Sequence, residues 1–362
     1  MHSLFESKNI KVLITGLLLI LVILLGIALS LNPSQDPPAP NTTAAATTAP
    51  TETLTPHEHE YIAAVFAPSY ISGGYTKYTC DCGDSYQADQ TPQLSYGFKA
   101  TQARNAFVYD QTEGQYLYAK GQLNQKIYPA SITKLFTGYI ATLYLDMNEQ
   151  ITVGDILSTV PSDSSTANLK RNDRMTVEDM MYAMLLRSGN DAARVLAVEV
   201  GKKLDGTADK TQKYYYNLFI DEMNRQAQML GMEDSHFATA DGYHHSNHYT
   251  SMADVCFMGR LALSTPTLAK IIGTETHTAT IYGPNSRKPV WKNTNQLLRK
   301  DTTYYCKYAI GMKTGYTSAA GQCLISAVLI DGKQYIIGVF GCDSIAQRFT
   351  STQAFINTLL NT

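Results

Sequence analysis

The chain has 362 residues, of which 44% are hydrophobic and 17% are charged, and its formal net charge at pH 7 is −2. This composition is that of a globular protein with room for two domains, or for one large domain with additions. The nearly balanced charge lacks the basic excess of nucleic-acid-binding domains, so we expect no nucleic-acid partner.

The first segment with a clear pattern is the apolar run Val12–Leu29, which is long enough to span a bilayer. Lys8 and Lys11 precede it, and no basic residue follows closely. The positive-inside rule therefore predicts that residues 1–31 are a cytoplasmic tip and a single-pass transmembrane anchor in the cell membrane, with the remainder extracytoplasmic. The alternative is a cleaved signal peptide and a secreted protein, with Ala28–Ser30 at the cleavage site.

Residues 32–56 are rich in proline, threonine and alanine and show no apolar periodicity. Such a composition offers little apolar surface for a packed core. We therefore expect a disordered and fairly extended linker that holds the following part of the chain away from the membrane.

Residues 57–97 form a short segment rich in tyrosine and glycine that carries Cys80, Cys82, His57 and His59. One interpretation is a small metal site, because zinc binds cysteine and histidine. The other is a small β-hairpin unit whose cysteines are free or paired. The Cys-x-Cys spacing is tighter than the gap of about two to four residues in structural zinc sites, so the sequence favours a unit without a metal.

The main domain is predicted to span residues 98–362, with strands at both ends and helices between them. Strands are expected at Phe107–Asp110 and Tyr116–Tyr118, and a terminal hairpin at Gln322–Ile330 and Tyr335–Phe340. Helices are expected to begin at Ser131, after the capping residue Thr176, near Tyr214, near Met252 and at Ile345. The order predicts the α/β class, as an α+β sandwich whose sheet is built from distant segments.

Two cysteines lie on the arms of the terminal hairpin. Counted from the turn at Asp331–Gly332, Cys323 and Cys342 share one face of the hairpin but are offset diagonally. A disulfide between them is therefore neither required nor excluded.

A Ser-x-x-Lys motif, Ser131 to Lys134, stands at the predicted start of an apolar helix. Residues three apart share one helix face, so the two side chains lie within hydrogen-bonding reach. A lysine in a dry site can lose its proton and act as the base of a nearby serine. The alternative is a serine near a helix start whose neighbouring lysine points to solvent.

Two later motifs supply partners for this pair. Ser188 and Asn190 lie at a predicted helix end. In the functional interpretation, the Ser188 hydroxyl relays a proton to a leaving amine and the Asn190 amide holds a substrate carbonyl. The alternative is a break between two helices that is capped by polar residues. Lys313, Thr314 and Gly315 precede the hairpin. In the functional interpretation, Lys313 forms a cationic wall of the site, the Thr314 hydroxyl binds a carboxylate, and Gly315 lets the substrate backbone approach. The alternative is a lysine on an edge strand followed by a glycine bulge.

The three motifs, in this order, are those of penicillin-binding proteins and class A β-lactamases. More narrowly, the chain resembles the low-molecular-mass serine D-alanyl-D-alanine carboxypeptidases in the segments Tyr128–Lys134, Ser188–Ala192, Asn247–Thr250, Asn293–Leu298 and Gly311–Thr317. The resemblance covers residues 99–362 and implies a β-lactamase/transpeptidase-like fold, with an antiparallel sheet and a helical half. It also implies an enzyme that removes the terminal D-alanine from peptidoglycan stem peptides and is inhibited covalently by β-lactam antibiotics.

The resemblance implies a role for each motif residue. Ser131 would attack the carbonyl between the two D-alanines, Lys134 would take its proton, and Ser188 would pass a proton to the departing D-alanine. The backbone N–H groups of Ser131 and Tyr316 would form the oxyanion hole. The substrate-binding residues would be Asn190, Lys313, Thr314, Gly315 and Tyr316. No metal and no organic cofactor is required.

Arg348 lies near the start of the last predicted helix, where this family often places an arginine. Its planar fork of donors would read the terminal carboxylate of the substrate. The alternative is an exposed arginine on an amphipathic helix.

Other functions make different demands on the sequence. A class A β-lactamase needs a Glu-x-x-x-Asn pattern, and neither Glu233 nor Glu275 has the asparagine. A zinc D,D-peptidase would use the histidines His244, His245 and His248 with Glu233 and His236, but the complete ligand pattern is missing. A non-catalytic penicillin-binding sensor would not need all three motifs intact. Carboxypeptidase, endopeptidase and transpeptidase activities are not separated by these motifs.

Overall fold

Strands that lie far apart in the sequence meet in one sheet. A computed structural model of the protein describes residues 58–362, so the expected transmembrane anchor, the linker and His57 lie outside the described residues. The described strands are β1 (Tyr61–Phe66), β2 (Gly74–Cys80), β3 (Ser85–Thr91), β4 (Asn105–Asp110), β5 (Gln115–Lys120), β6 (Gln150–Thr152), β7 (Arg174–Thr176), β8 (Thr276–Thr278), β9 (Val290–Lys292), β10 (Ala309–Thr317), β11 (Gly321–Ile330) and β12 (Lys333–Cys342). The described helices are α1 (Lys134–Tyr144), α2 (Val177–Leu186), α3 (Asn190–Asp205), α4 (Gln212–Met229), α5 (Met252–Ser264), α6 (Pro266–Ile272) and α7 (Ile345–Leu360).

The main sheet has five antiparallel strands in the order β10–β11–β12–β4–β5. The predicted terminal hairpin is confirmed, because Ile330 pairs with Lys333 around the turn. The predicted capping residue is also confirmed, since the side chain of Thr176 accepts a hydrogen bond from the backbone N–H of Asp179 at the start of α2. The sheet therefore joins both ends of the main domain, as the order of elements predicted.

Alternate residues of the central strands pack into cores on opposite faces of the sheet. On β11, Ile325 and Ala327 face the helical half formed by α1 to α6, whereas Leu324 and Val328 face α7. This period of two is what a strand covered on both faces requires. The result is an α+β sandwich with antiparallel sheets, which confirms the predicted fold class for the main domain.

Cys323 and Cys342 do not share a face, so the sequence-based register is wrong at this point. The ladder shifts between Gln322, which pairs with Cys342, and Leu324, which pairs with Val339. This bulge adds one residue to β12 and reverses the direction of the side chains beyond it. Both cysteines are free; Cys323 packs against the helical half and Cys342 packs on the side of α7.

A separate three-stranded antiparallel sheet, in the order β1–β2–β3, precedes the main domain. Its contact with the main domain is aromatic. The Tyr70 ring lies edge-on to Tyr96, and the Tyr96 ring stacks on Phe98 with centroids 5.0 Å apart. Phe98 in turn meets Phe355 of α7. The small sheet is thus attached beside α7.

Within the described residues, no single helix is long and apolar enough to cross a bilayer. The helices α5 and α6, which are bent by 104° at their junction, reach the necessary length and composition only as a pair.

Candidate active site

The serine of the Ser-x-x-Lys motif lies in a tight turn before the helix, not in the helix itself. Ala130–Thr133 forms a 3-10 turn, and α1 begins at Lys134. Ala130 has a positive φ of 48°, a backbone conformation that is unfavourable for a residue with a Cβ. The turn leaves Ser131 partly exposed and buries Lys134 completely.

The Lys134 side chain ends at three oxygen acceptors. Its Nζ lies 2.8 Å from Ser131 Oγ, 2.8 Å from Asn190 Oδ1 and 2.6 Å from the backbone carbonyl of Asp241. Burial lowers the pKa of Lys134 to about 8, although the charges of Asp241 and Asp191 oppose that shift. At pH 7 about a tenth of this lysine is therefore a neutral amine, the form that accepts a proton from a hydroxyl, against a negligible fraction for an ordinary lysine.

Two buried carboxylates hold the surroundings of Lys134 in place. Asp191 accepts hydrogen bonds from the backbone N–H groups of Ala167 and Leu169, each at 3.0 Å. Asp241 accepts from Arg194 Nε at 2.7 Å in a buried ion pair. Sequence analysis did not identify these residues. Asp191 follows the second motif directly. The hydrogen bonds that it accepts come from a loop more than 20 residues upstream, and the residues around Asp191 do not predict such a distant contact.

The second motif turns the chain sharply between α2 and α3. Ser188 has a positive φ of 59° and is 6% exposed, and it lines the same cleft as Ser131. Asn190 opens α3, its backbone N–H bonds to the carbonyl of Ser165, and its side chain accepts from Lys134. The structure thus places Ser131, Ser188 and Asn190 along one cleft, with Lys134 buried beneath Ser131 and in contact with it.

Two glycines allow backbone segments to approach Ser131 closely. A Cβ on Gly315 would lie 2.9 Å from the carbonyl oxygen of Pro129 and 3.2 Å from the Ser131 nitrogen. A Cβ on Gly242 would lie 1.9 Å from the Ala130 carbonyl oxygen. A side chain at either position would push its segment away from the serine, so both glycines are required by this geometry.

His248 also supports the turn before Ser131. Its Nδ1 accepts a hydrogen bond from the Ala238 backbone N–H, so Nε2 carries the proton and donates to Thr133 Oγ1 at 2.8 Å. Thr133 Oγ1 in turn donates to the Ala130 carbonyl. Burial lowers the pKa of His248 to about 4, so the imidazole stays neutral. Both nitrogens are used, which leaves no lone pair for zinc.

The third motif lies on β10, and it differs from the predicted cationic wall. Thr314, Gly315 and Tyr316 line the cleft, but Lys313 is buried behind it and donates to the Thr314 carbonyl at 3.0 Å. Thr314 Oγ1 lies 2.8 Å from Thr294 Oγ1. Burial, together with the charges of Lys134 and Arg348, lowers the pKa of Lys313 well below its ordinary value. Thr294 lies in a segment that carried the family resemblance, although no role had been assigned to it.

Arg348 reaches the cleft from the first turn of α7. Its side chain is buried, one terminal nitrogen donates to Gln322 Oε1 at 2.7 Å, and its Nε has no hydrogen-bond partner among the described residues. Burial lowers the pKa of Arg348 to about 10, so the guanidinium remains charged at neutral pH. The alternative of an exposed helix-face arginine is therefore wrong.

These residues enclose a cleft of about 530 Å³. Of the described residues that line it, only Asp163 carries a carboxylate, and its Oδ1 accepts from the Tyr243 hydroxyl at 3.1 Å. Glu233 and Glu275, which were weighed as β-lactamase residues, are not among the lining residues. The cleft therefore combines a serine, a buried amine and a buried arginine with little negative charge.

Comparison with known proteins identifies the relatives of this chain. Residues 90–344 match the peptidase S11 family, described as D-alanyl-D-alanine carboxypeptidase. The D-alanyl-D-alanine carboxypeptidase DacF of Bacillus subtilis is 28% identical over 69% of this chain, and the match spans 60% of that relative's length.

Two solved structures have similar folds. The Streptomyces K15 DD-transpeptidase is 27% identical, with a TM-score of 0.66 over 73% of this chain and 99% of that one. Penicillin-binding protein D2 of Listeria monocytogenes, in its cefotaxime-bound form, is 25% identical, with a TM-score of 0.57 over 74% of this chain and 99% of that one.

The reactivity of Ser131 should follow the titration of Lys134. Because the pKa of Lys134 is lowered to about 8, acylation of Ser131 by a β-lactam should rise about tenfold per pH unit below that value and level off above it. Lys134→Arg, whose guanidinium stays protonated, should slow acylation by about 10²–10⁴-fold. Stopped-flow acylation rates across pH measure both effects. Lys203→Arg, on the exposed surface of α3, is the matched control, and a rate profile that stays flat through the pKa would contradict the assignment.

Proposed function

The chain belongs to the D-alanyl-D-alanine carboxypeptidase family of peptidases, S11, and we propose that it removes the terminal D-alanine from peptidoglycan stem peptides. The observation that carries this proposal is the 2.8 Å approach of Lys134 Nζ to Ser131 Oγ at the cleft. A buried amine with a lowered pKa, beside a partly exposed serine, is a base placed next to a nucleophile.

In the acylation step, Ser131 Oγ attacks the carbonyl carbon between the two D-alanines while Lys134 accepts the hydroxyl proton. Negative charge develops on the carbonyl oxygen. The backbone N–H groups of Ser131 and Tyr316 stabilise that charge in this mechanism, and the close approach of Gly315 to Ser131 supports the pairing of these two segments.

Collapse of the intermediate breaks the peptide bond and releases D-alanine as an amine, which needs a proton. Ser188 relays that proton from the protonated Lys134 to the leaving nitrogen. Asn190 holds Lys134 through its side-chain oxygen, and its amide nitrogen is left to bind the substrate carbonyl. Water then cleaves the acyl-enzyme, which returns a free serine and a shortened peptide.

Recognition of the terminal carboxylate separates a carboxypeptidase from a general acyl transferase. Thr314 offers a hydroxyl at the cleft surface, and Arg348 offers a guanidinium whose Nε has no hydrogen-bond partner among the described residues. Lys313 lies behind Thr314, and a bound carboxylate would raise its lowered pKa and so favour its charged form without direct contact. We assign the carboxylate to Thr314 and Arg348, with Lys313 as a buried electrostatic support.

A β-lactam would occupy the same cleft and acylate Ser131. Among the described residues no glutamate lines the cleft to activate water against that adduct, so the adduct should persist. Transpeptidation is a second candidate, because a structural relative with 27% identity is named a DD-transpeptidase. The two reactions share the acyl-enzyme and differ in whether water or an amine attacks it.

The activity assay combines covalent labelling with product release. Intact mass spectrometry should find one penicillin adduct on the peptide that contains Ser131, and a stem-peptide analogue ending in D-alanyl-D-alanine should release D-alanine. Ser131→Ala should abolish both. Addition of a D-amino acid acceptor distinguishes hydrolysis from exchange. Labelling that survives Ser131→Ala would refute the nucleophile, whereas labelling without D-alanine release would refute the carboxypeptidase activity.

Arg348→Ala should weaken D-alanine release far more than acylation by an ester that lacks the terminal carboxylate. Loss of one charged hydrogen-bonding partner costs roughly 1.5–3 kcal/mol, or about ten- to a hundred-fold in rate. Arg348→Lys keeps the charge but loses the planar fork of donors, so its rate of D-alanine release should lie between those of the wild type and Arg348→Ala. Arg171→Ala, on the exposed surface, serves as control. Equal losses on both substrates would mean that Arg348 supports β10 and not the substrate.

We also propose that residues 1–31 anchor the enzyme in the cell membrane with the catalytic domain outside the cytoplasm. The apolar length and the flanking lysines of this segment support the proposal. Full-length protein should resist carbonate extraction from membranes, and Edman sequencing should return the original N-terminus. A chain that starts after the linker should be released in the same fractionation. A mature start near Leu31 would identify a cleaved signal peptide instead.

A further inference from the structure

The small sheet β1–β3 has almost no apolar core of its own. Every residue of β1 after Tyr61 is exposed, including Ile62 at 69% and Val65 at 80%, and no residue of β3 is buried. Its buried residues are Gly74, Thr76 and Cys80 of β2. Sheets this small need a further source of stability, and disulfides or bound metals are the usual ones.

Three side chains with metal-binding atoms meet at one end of this sheet. The ligand atoms of His59, Cys80 and Cys82 all lie within 4.8 Å of one another, and His59 Nδ1 is 3.3 Å from Cys82 Sγ. Bond lengths of about 2.0–2.3 Å place the ligand atoms of one tetrahedral zinc roughly 3.5–3.8 Å apart. Small side-chain adjustments therefore suffice to bring all three to one ion.

The turn between β2 and β3 explains why the short Cys-x-Cys spacing works. The Gly83 backbone N–H bonds to the Cys80 carbonyl at 2.9 Å, and the Cys80 N–H bonds to the Asp84 carbonyl at 2.9 Å. Gly83 has a positive φ of 94°, which closes the turn tightly. Cys82, at the third position of this turn, is thereby brought back beside Cys80.

We propose that His59, Cys80 and Cys82 form a structural zinc site that holds the three strands of the small sheet together. His59 precedes β1, Cys80 ends β2 and Cys82 lies in the turn into β3, so one ion would tie all three strands. Two thiolates and an imidazole are soft ligands that suit zinc, whereas calcium and magnesium take oxygen ligands. Binding displaces the two thiol protons, and the two thiolate charges balance the charge of the ion.

Tetrahedral zinc takes four ligands, so one more is needed. Water can supply it. The Cys-x-Cys spacing alone favours a small unit without a metal, whereas the clustering of these three side chains favours a metal site.

The test measures zinc in the full-length chain, purified in detergent with a reducing agent and without chelators. Wild-type protein should carry about one zinc per chain after gel filtration, and both His59→Ala and Cys82→Ser should lower this to less than about a tenth. Cys306→Ser, a partly buried cysteine elsewhere, should retain the ion. Penicillin labelling of Ser131 should be unchanged in all of them, which verifies that the main domain of each variant has folded.

Cobalt substitution gives an independent measurement on the wild-type chain. Co²⁺ at this site should produce a thiolate charge-transfer band and the visible bands of tetrahedral coordination, and Cys82→Ser should weaken the former. Wild-type protein that stays zinc-free after incubation with zinc would overturn the proposal. So would equal zinc in all variants, or a disulfide between Cys80 and Cys82 in protein alkylated directly from cells.

Discussion

The catalytic cleft depends on one buried amine, the side chain of Lys134. Removal of an ammonium from water is costly unless hydrogen-bond acceptors replace the water. Ser131, Asn190 and the Asp241 carbonyl supply those acceptors, and they come from three separate segments of the chain. The balance leaves the pKa of Lys134 at about 8, low enough for a base and not so low that the amine is a poor proton acceptor. These segments must therefore meet at the Lys134 amine. The 3-10 turn before α1, the close approach of Gly242 and Gly315 and the ion pair between Arg194 and Asp241 hold them there.

Positive charge around the cleft is concentrated and only partly compensated. Lys313 and Arg348 are both buried, and the charges of Arg348 and Lys134 add to burial in lowering the pKa of Lys313. An arriving carboxylate would relieve this repulsion, because an anion favours the charged form of every cation near it. The carboxylate that marks a peptide C-terminus would thus favour protonation of Lys313, the charged form of the site that binds a carboxylate. Asp191 and Asp241 place their negative charge beneath the cleft, and Asp163 is the one carboxylate among the described residues that line it.

Prediction from the sequence succeeded for features that depend on residues close together in the chain. Ser131 and Lys134 are three residues apart, and the terminal hairpin carries its turn in Asp331–Gly332, so both follow from local rules. It failed where a single irregularity or a distant contact decides the outcome. One bulge in β12 moved Cys342 to the other face of the sheet. Gly341 lies in this bulge with a positive φ of 69°, but a glycine within a strand does not by itself fix the register. The pairing of Arg194 with Asp241 joins residues 47 apart and likewise lies beyond any local pattern.

The two parts of the described chain solve the problem of stability differently. The main domain covers both faces of its central strands with helices, so burial of apolar side chains stabilises it without other help. The small sheet leaves every described residue of β1 after Tyr61 exposed, so burial of apolar side chains contributes little there. Its strands share one feature that apolar burial does not explain, the convergence of two thiols and an imidazole at one end. A bond network centred on one ion orders three strands with only three side chains, which is why a metal suits a sheet too small to build a core.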